Sequence, residues 1–412
     1  MAQPKLRFKH EDGTSYPDWN KKKIGDLANV FSASRVHRDE WQTEGVPFWR
    51  SSDVMAFHQH KVNPMGKAYI TQELYEKLSS KSGKMKKDDI LITGGGSIGI
   101  PYLIQDDCPL YVKDADLLCI QKSVNHNSGF LYQFFWSPTF RSYLGLISHK
   151  GTIAHYTITQ IGETPVAIPC LEEQQKIADF LSTVDEVIAQ SEAEVQNLEQ
   201  QKKAAMQKIF SQEVRFMRED GASYPDWRKD KWSNLGQFVS SGTLSKADLS
   251  EEGTPCILYG ELYTKYGEIA HTIYSKTNSN SHTFSKKDDV ILPKSGETPE
   301  DISTATCIPY DDVSLGGDLI VFRHNEKVIG TFLSYLISNR AKNAIASIAQ
   351  GKSVVHISEK GLANIELSFP CLEEQQKIAD FLSAYDEAIT CAKQELDKWK
   401  ELKKGLLQQM FV

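Results

Sequence analysis

Two stretches of the chain carry a mostly apolar seam at alternating spacings of four and three residues. In the first the seam is Ile177, Leu181, Val184, Ile188, Ser191, Val195, Leu198, Lys202, Ala205 and Ile209. In the second it is Ile378, Leu382, Tyr385, Ile389, Ala392, Leu396, Trp399, Lys403, Leu406 and Met410. Such spacing predicts two long coiled-coil helices, from Glu172 to about Gln212 and from Glu373 to Val412. Neither stretch contains an internal proline, and each opens on acidic residues that suit the positive end of a helix dipole. About 38 residues of helix reach roughly 57 Å. Both seams are interrupted at the same heptad position, by Lys202 and Lys403. Antiparallel pairing of the two helices sets Leu181, Val184 and Ile188 near Lys403, Trp399 and Leu396, whereas parallel pairing sets them beside Leu382, Tyr385 and Ile389.

The rest of the chain has a different pattern. Short apolar runs, such as Ile90-Leu91-Ile92, Asp116 to Ile120 and Leu319 to Phe322, alternate with glycine- and lysine-rich turns. Short helices are expected over Phe130 to Phe135 and Phe332 to Ile337. The bodies are therefore mixed α/β.

The chain is written twice. Phe8 to Trp19 and Phe216 to Trp227 agree at nine of twelve positions, at an offset of 208 residues. Cys170 to Ser182 returns unchanged over thirteen residues as Cys371 to Ser383, at an offset of 201. Between these anchors, Lys86 to Leu91 is echoed by Lys286 to Ile291. Repeated order at a period near 200 residues means duplicated domains and not a solenoid of small units. The expected segments are a body over 1–169, a helix over 170–214, a body over 215–370 and a helix over 371–412. Leu6-Arg7-Phe8 corresponds to Val214-Arg215-Phe216, while Met410-Phe411 corresponds to Ile209-Phe210. This predicts a cyclic, pseudo-twofold arrangement with the N-terminal segment packed near the end of the second helix.

Composition narrows the class. With 40% hydrophobic and 25% charged residues the chain is globular in composition. Seven cysteines without a Cys-x-x-Cys pair fit neither a disulfide scaffold nor a zinc ribbon and suit a reducing cytoplasm. Apolar runs are too short for a membrane span, and Met1 to Phe8 lacks the apolar core of a signal peptide. A soluble, cytoplasmic protein is expected. The formal charge of -7 is uneven: residues 1–169 are net +3, residues 170–215 -4, residues 216–370 -4 and residues 371–412 -2. Acidic helices suit protein docking better than DNA.

These features together resemble the specificity subunit of type I restriction-modification enzymes, over almost the whole chain. The resemblance rests on Tyr16-Pro17-Asp18-Trp19 and Tyr224-Pro225-Asp226-Trp227, and on the glycine-proline strands Gly45 to Arg50 and Gly253 to Leu258. It continues through the Lys-x-Asp-Ile-Leu element of Lys87 to Leu91, matched less neatly by Lys287 to Ile291, and through Gly151-Thr152-Ile153 and Gly351-Lys352-Ser353. It ends on Pro169, Glu173, Gln174 and Ile177, repeated as Pro370, Glu374, Gln375 and Ile378. The second half departs where Gly94 to Gly99 becomes Lys294-Ser295-Gly296-Glu297. The resemblance implies two target recognition domains, each reading half of a split site in double-stranded DNA, joined by helices that set the unread gap. It also implies two modification subunits docked on the helices, which methylate adenines, and restriction subunits that cut, as host defence. The chain itself is then not an enzyme and needs no cofactor. A two-headed coiled-coil scaffold that grips proteins is the alternative.

Polar loops rich in Arg, Lys, His and Gly are the candidates for DNA contact. In the first body these are Arg35, Arg38, Arg50, His58, His60, Lys61, Lys84, Ser97 and Lys150. In the second they are Tyr263, Lys265, Lys294, Ser295, Arg323, His324 and Lys352. Other chemistries find no support. Gly94 to Gly99 lacks the Gly-Lys-Ser/Thr of a triphosphate cradle and reads as a turn. Pro17-Asp18 and Pro225-Asp226 lack the Glu-x-Lys of a nuclease, and Trp19 and Trp227 read as structural anchors. His58 and His60 have no cysteine or carboxylate cluster beside them. The Asn/Asp-Pro-Pro-aromatic motif of an adenine methyltransferase is missing from the sequence. Glu172 to Gln175 and Glu373 to Gln376 fit either caps of the helix start or a shared helix-body or subunit-docking role.

If the helices set the gap, a heptad inserted at matching places in both lengthens them by about 10 Å. The gap should then grow by roughly three base pairs at 3.4 Å each, with the bases read unchanged. Methylome mapping of the variant beside the parent checks this.

Overall fold

The two seams lie on continuous helices, Leu171–Phe210 and Leu372–Met410. The computed structural model describes residues 3–59, 68–148, 155–279, 283–351 and 354–412. His60, Lys61, Lys150, Gly151, Thr152, Ile153, Lys352 and Ser353 lie outside the described residues. The chain folds as two units, Met1–Glu192 with Gln394–Val412, and Ala193–Lys393. Each long helix therefore contributes one half to each unit, so the units do not follow the four sequential segments. An amphipathic helix with so polar an outer face finds cover for its seam only against the other helix and the base of a body.

Within each unit the helix halves run antiparallel. In the first unit Lys403 is paired with Asp185, and Lys400 Nζ lies 2.7 Å from Glu192. In the second, Lys202 Nζ lies 2.6 Å from Asp386 and Lys393 Nζ 2.7 Å from Glu199. The two seam lysines are thus equivalent, each meeting the equivalent aspartate of the facing helix. Lys202 is the more enclosed, with Glu268 at 2.6 Å and the Tyr335 ring centroid at 5.1 Å. The register differs by about one turn from the sequence expectation, since Leu181 shares its core with Leu407, Met410 and Phe411. The pairing of Lys403 with Asp185 and the insertion of Phe411 against Phe130, at 5.2 Å between rings, hold it there.

The seam is sequestered throughout. Ile177, Leu181, Val184, Val195, Ile209, Ile378, Leu382, Ile389, Leu396 and Met410 are buried. Ile188, Leu198, Tyr385 and Trp399 are half-buried.

Each body has at its centre an antiparallel four-stranded sheet, beside smaller or mixed ones. In the first unit its order is Val30–Ser32, Leu117–Ile120, Ile90–Thr93, Pro101–Leu103. In the second it is Gly236–Val239, Leu319–His324, Asp289–Pro293, Thr306–Ile308. Alternation along the strands divides the apolar runs between two cores. Ile90, Ile92, Leu118 and Ile120 face the core shared with the helices, while Leu91, Leu117 and Cys119 face an outer core. Val290, Leu292, Ile320 and Phe322 against Ile291, Leu319 and Val321 repeat the division. A sheet covered on both faces explains why these runs are continuously apolar. The short helices form as Ser128–Trp136 and as Gly330–Leu336, the latter continuing through a wide π turn at Ile337–Ala341.

The repeated motifs make the joints. In Lys86 to Leu91 and Lys286 to Ile291, Asp88 and Asp288 take left-handed backbone angles, φ 69° and 65°. The next residues, Asp89 and Asp289, are buried and accept the backbone N–H of Lys86 and Lys286. Burial pushes the Asp89 carboxyl up despite its hydrogen bonds.

At each helix start the inner pair of the Glu-Glu-Gln-Gln run is buried and the outer pair exposed. Glu173 receives Arg7 through both Nε and Nη2, at 3.1 and 2.8 Å, and the Trp19 indole N–H at 3.1 Å. Arg215 makes the same fork on Glu374 at 3.2 and 2.7 Å. Both arginines also donate to the carbonyls of the Tyr-Pro turn, Pro17 and Pro225, at 2.7 Å. Gln174 and Gln375 close the helix start by donating to the Pro169 and Pro370 carbonyls. Of the two sequence readings for this run, the structure shows the helix-body joint, made by the buried arginine anchor. The entry segments match as well: the Leu6 N–H donates to the Gln409 carbonyl at 3.1 Å, as that of Val214 does to Lys208 at 3.2 Å.

Replacing Lys202 with Met leaves Asp386 and Glu268 facing each other with no cation. Urea unfolding should show a loss of about 3 kcal/mol, and Lys403→Met, at a more open pair, a smaller one. Burial opposes the Lys202 ammonium, but the charges of Glu268 and Asp386 outweigh it and hold its pKa above the ordinary 10.5. Its contribution is therefore complete below about pH 10.5 and is lost as pH rises from there through the folded value.

Candidate nucleic-acid interface

In the first unit, three strand ends converge on one edge. Strand Val46–Trp49 runs parallel to Tyr111–Val112, and Lys113 N–H donates to the Trp49 carbonyl. The following residues, Arg50 and Ser51, open helix Ser51–His58. Ser51 donates from its backbone N–H to the Asp116 carboxylate at 3.0 Å and from its hydroxyl to the Asp116 carbonyl at 2.6 Å. Gly94, at the end of Ile90–Thr93, donates to the same carbonyl at 2.8 Å. A Cβ on Gly94 would stand 2.7 Å from the Ala115 carbonyl, so glycine is required by this close approach. Thr93 closes the glycine loop by donating to the Ser97 carbonyl at 2.5 Å, which makes Gly94 to Gly99 a braced turn.

Arg50 is held on three sides. Its backbone N–H and its Nε both donate to the buried Asp53 carboxylate, at 2.9 and 3.2 Å. Its guanidinium lies over the Trp41 ring, 5.4 Å from the centroid. The side chain keeps 27% exposure.

The other candidates of this body divide by environment. Arg35, Arg38, Lys84 and Ser97 are exposed, Lys84 lying over the Tyr75 ring. His58 bonds the Pro101 carbonyl at 2.7 Å and packs edge-on to Trp136, which is a structural placement.

In the second unit, Tyr263 and Lys294 are exposed, and Lys265 is ion-paired to Glu261 at 2.7 Å. Two of the expected DNA-contact residues are engaged within the fold. Arg323 forks onto the buried Asp289 through Nε and Nη2 at 2.9 to 3.2 Å, with a further bond from Nη2 to the Phe284 carbonyl, while its side chain keeps 22% exposure. Ser295 is buried in a strand and donates to Asp318 at 3.3 Å. His324 is half-buried against the Asn325 carbonyl.

The two edges share a framework and differ in side chains. Leu258 stands where Arg50 stands, its N–H bonded to Glu261 at 2.9 Å as that of Arg50 is to Asp53. Lys294 stands where Gly94 stands, donating its N–H to the Asp318 carbonyl at 2.7 Å. The first edge thus carries its cation at the end of one strand and the second at the end of another. Lys113 and Trp41 complete the first edge without any local motif to mark them. The one available signal was their place just after an apolar strand and just after the Arg35–Arg38 loop.

Among the described residues, no group of three or more His, Cys, Asp or Glu side chains could hold a metal. No described helix is long and apolar enough to cross a membrane.

Residues 16–200 and 225–400 match the model of the type I restriction modification DNA specificity domain. The chain is 22% identical to the type I restriction enzyme MjaVIII specificity subunit of Methanocaldococcus jannaschii, over 98% of this chain and 95% of that one. It is 26% identical to the putative MjaX specificity subunit of the same organism, over 61% of this chain and 60% of that relative's length. In fold it is similar to the crystal structure of a type I restriction-modification S subunit from M. genitalium. That likeness has a TM-score of 0.63 at 17% identity and covers 100% of this chain and 99% of the other.

Because Asp289 is buried, Arg323→Ala strands a carboxylate and should lower the unfolding free energy by about 3 kcal/mol. The exposed Arg38→Ala should change it by less than about 0.5 kcal/mol. Urea melts of the two variants beside the parent check the contrast.

Proposed function

Because the chain belongs to the type I restriction-modification DNA specificity family, we propose that it is the non-catalytic, sequence-reading subunit of such an enzyme. Each body, over about residues 1–169 and 215–370, is a target recognition domain for one half of a bipartite duplex site. The long helices set the unread gap, and their acidic outer faces dock two modification subunits. Adenine methylation belongs to those subunits and ATP-dependent cutting to restriction subunits. The complex works in the cytoplasm, on DNA.

The observation that supports this reading best is the repetition of a buried framework beneath unlike exposed edges. Arg7–Glu173 and Arg215–Glu374 are interchangeable, whereas Arg50 and Leu258, or Gly94 and Lys294, are not. Such a pair of heads suits two different half-sites. With residues 1–169 at only +3 and residues 216–370 at -4, phosphate neutralisation is shared with the modification subunits. Exposure makes Arg35, Arg38, Lys84, Tyr263 and Lys294, together with Arg50, the residues that this reading assigns to DNA contact.

Two measurements test this. Replacing residues 20–165 with the equivalent body of a relative should alter one half of the methylated site and leave the other unchanged; joint alteration of both halves overturns the two-head reading. The purified chain, free of partners, should transfer no methyl group from S-adenosylmethionine to DNA, and adenine methylation by it alone overturns the adaptor reading.

A further inference from the structure

We propose that Arg50 reads a guanine in the half-site of the first body, with Asp53 and Trp41 as its positioning residues. The inference rests on the DNA-reading function proposed above and names a base for one residue of that edge.

Arg50 is set apart from the other cations of its body. Arg35, Arg38 and Lys84 are exposed and none of them is ion-paired among the described residues, and such a cation is suited to phosphates, which accept charge from many directions. Arg50 is instead oriented. Asp53, with 8% of its side chain exposed, takes Nε, and the guanidinium carbon lies over the Trp41 ring, 5.4 Å from its centroid. Nη1 and Nη2 donate no hydrogen bond among the described residues, so the outer edge of the fork stays available while Nε is held. Guanine offers O6 and N7 side by side in the major groove, the acceptor pair that a planar fork meets in two parallel bonds. Holding the side chain in advance lowers the ordering cost of that contact.

The position also behaves as a variable site on a constant support. Leu258 occupies it in the second body, buried, with the same backbone bond to a carboxylate three residues on. The carboxylate serves the backbone turn in both bodies, but only in the first does it also carry an arginine. A side chain needed for folding would be matched in both bodies, as Arg7 and Arg215 are.

The test uses the full chain assembled with its modification subunits, read by methylome sequencing of Arg50→Ala, Arg50→Lys and Arg50→Gln beside the parent. Arg50→Lys keeps the charge and removes the fork, so it carries the test if Arg50→Ala fails to assemble. The expected result is a loss of discrimination at one guanine of one half-site, by about 5- to 150-fold, with the other half-site read as before. Asp53→Asn and Trp41→Phe should weaken discrimination at that same guanine and at no other position, which a merely structural role would not do. The proposal is overturned if all three Arg50 variants keep the parent's discrimination at every position. It is also overturned if they weaken methylation uniformly across sequences, as loss of a phosphate contact does, or if the half-site of the first body contains no guanine on either strand. In each of these cases the DNA-reading function stands. A parent complex without sequence-specific methylation sinks that function and this inference together.

Discussion

A carboxylate closed off from water stands in the first turn of each long helix, and each unit is assembled around its neutralisation. Glu173 and Glu374 have fully buried side chains, a position that costs several kcal/mol for an ion without a partner. The partner is supplied by the segment that enters the body, Arg7 or Arg215, in a two-bond fork. The same arginine holds the Tyr-Pro turn through its carbonyls, and in the first unit the carboxylate also receives the Trp19 indole. Helix start, entry segment and tryptophan anchor are thereby one joint. This is why the motifs at Tyr16 to Trp19 and at Cys170 to Ser182, so far apart in sequence, are repeated together.

A joint of this kind frees the opposite end of each body to vary. Its central sheet is buried on both faces, and the strand ends reach an edge fastened by backbone bonds to Asp116 or Asp318. Side chains at that edge can change without disturbing the supports, because the supports are main-chain groups and carboxylates. The helices add an axial constraint of the same economy. Lys202 and Lys403 interrupt apolar seams, and each is compensated by an aspartate at the matching position of the facing helix segment. A polar residue in a seam lowers stability but fixes register. Here both interruptions select the same antiparallel alignment.

Much of this was legible before any coordinates. The duplication, the two helices, their seam, the mixed α/β bodies and the family resemblance all follow from spacing and repetition, which are properties of the chain read along its length. The roles of individual polar residues were not. Arg50 and Arg323 are both arginines at the end of an apolar strand, and nothing local separates them. One gives only its Nε to a carboxylate, whereas the other forks through Nε and Nη2 onto Asp289, a carboxylate buried beside the turn. Ser97 and Ser295 part in the same way, one exposed and one bonded inside the fold.

The sequence by itself determined what recurs: two helices, two bodies and one set of motifs shared between them, because periodicity and identity need no knowledge of neighbours in space. The tertiary structure alone decided the helix register, the pairing of Lys202 with Glu268 and Asp386, and which cations face outward. Those outcomes depend on desolvation. A charge is free or spent according to whether a carboxylate many residues away has been buried beside it, and burial exists only once the chain has folded.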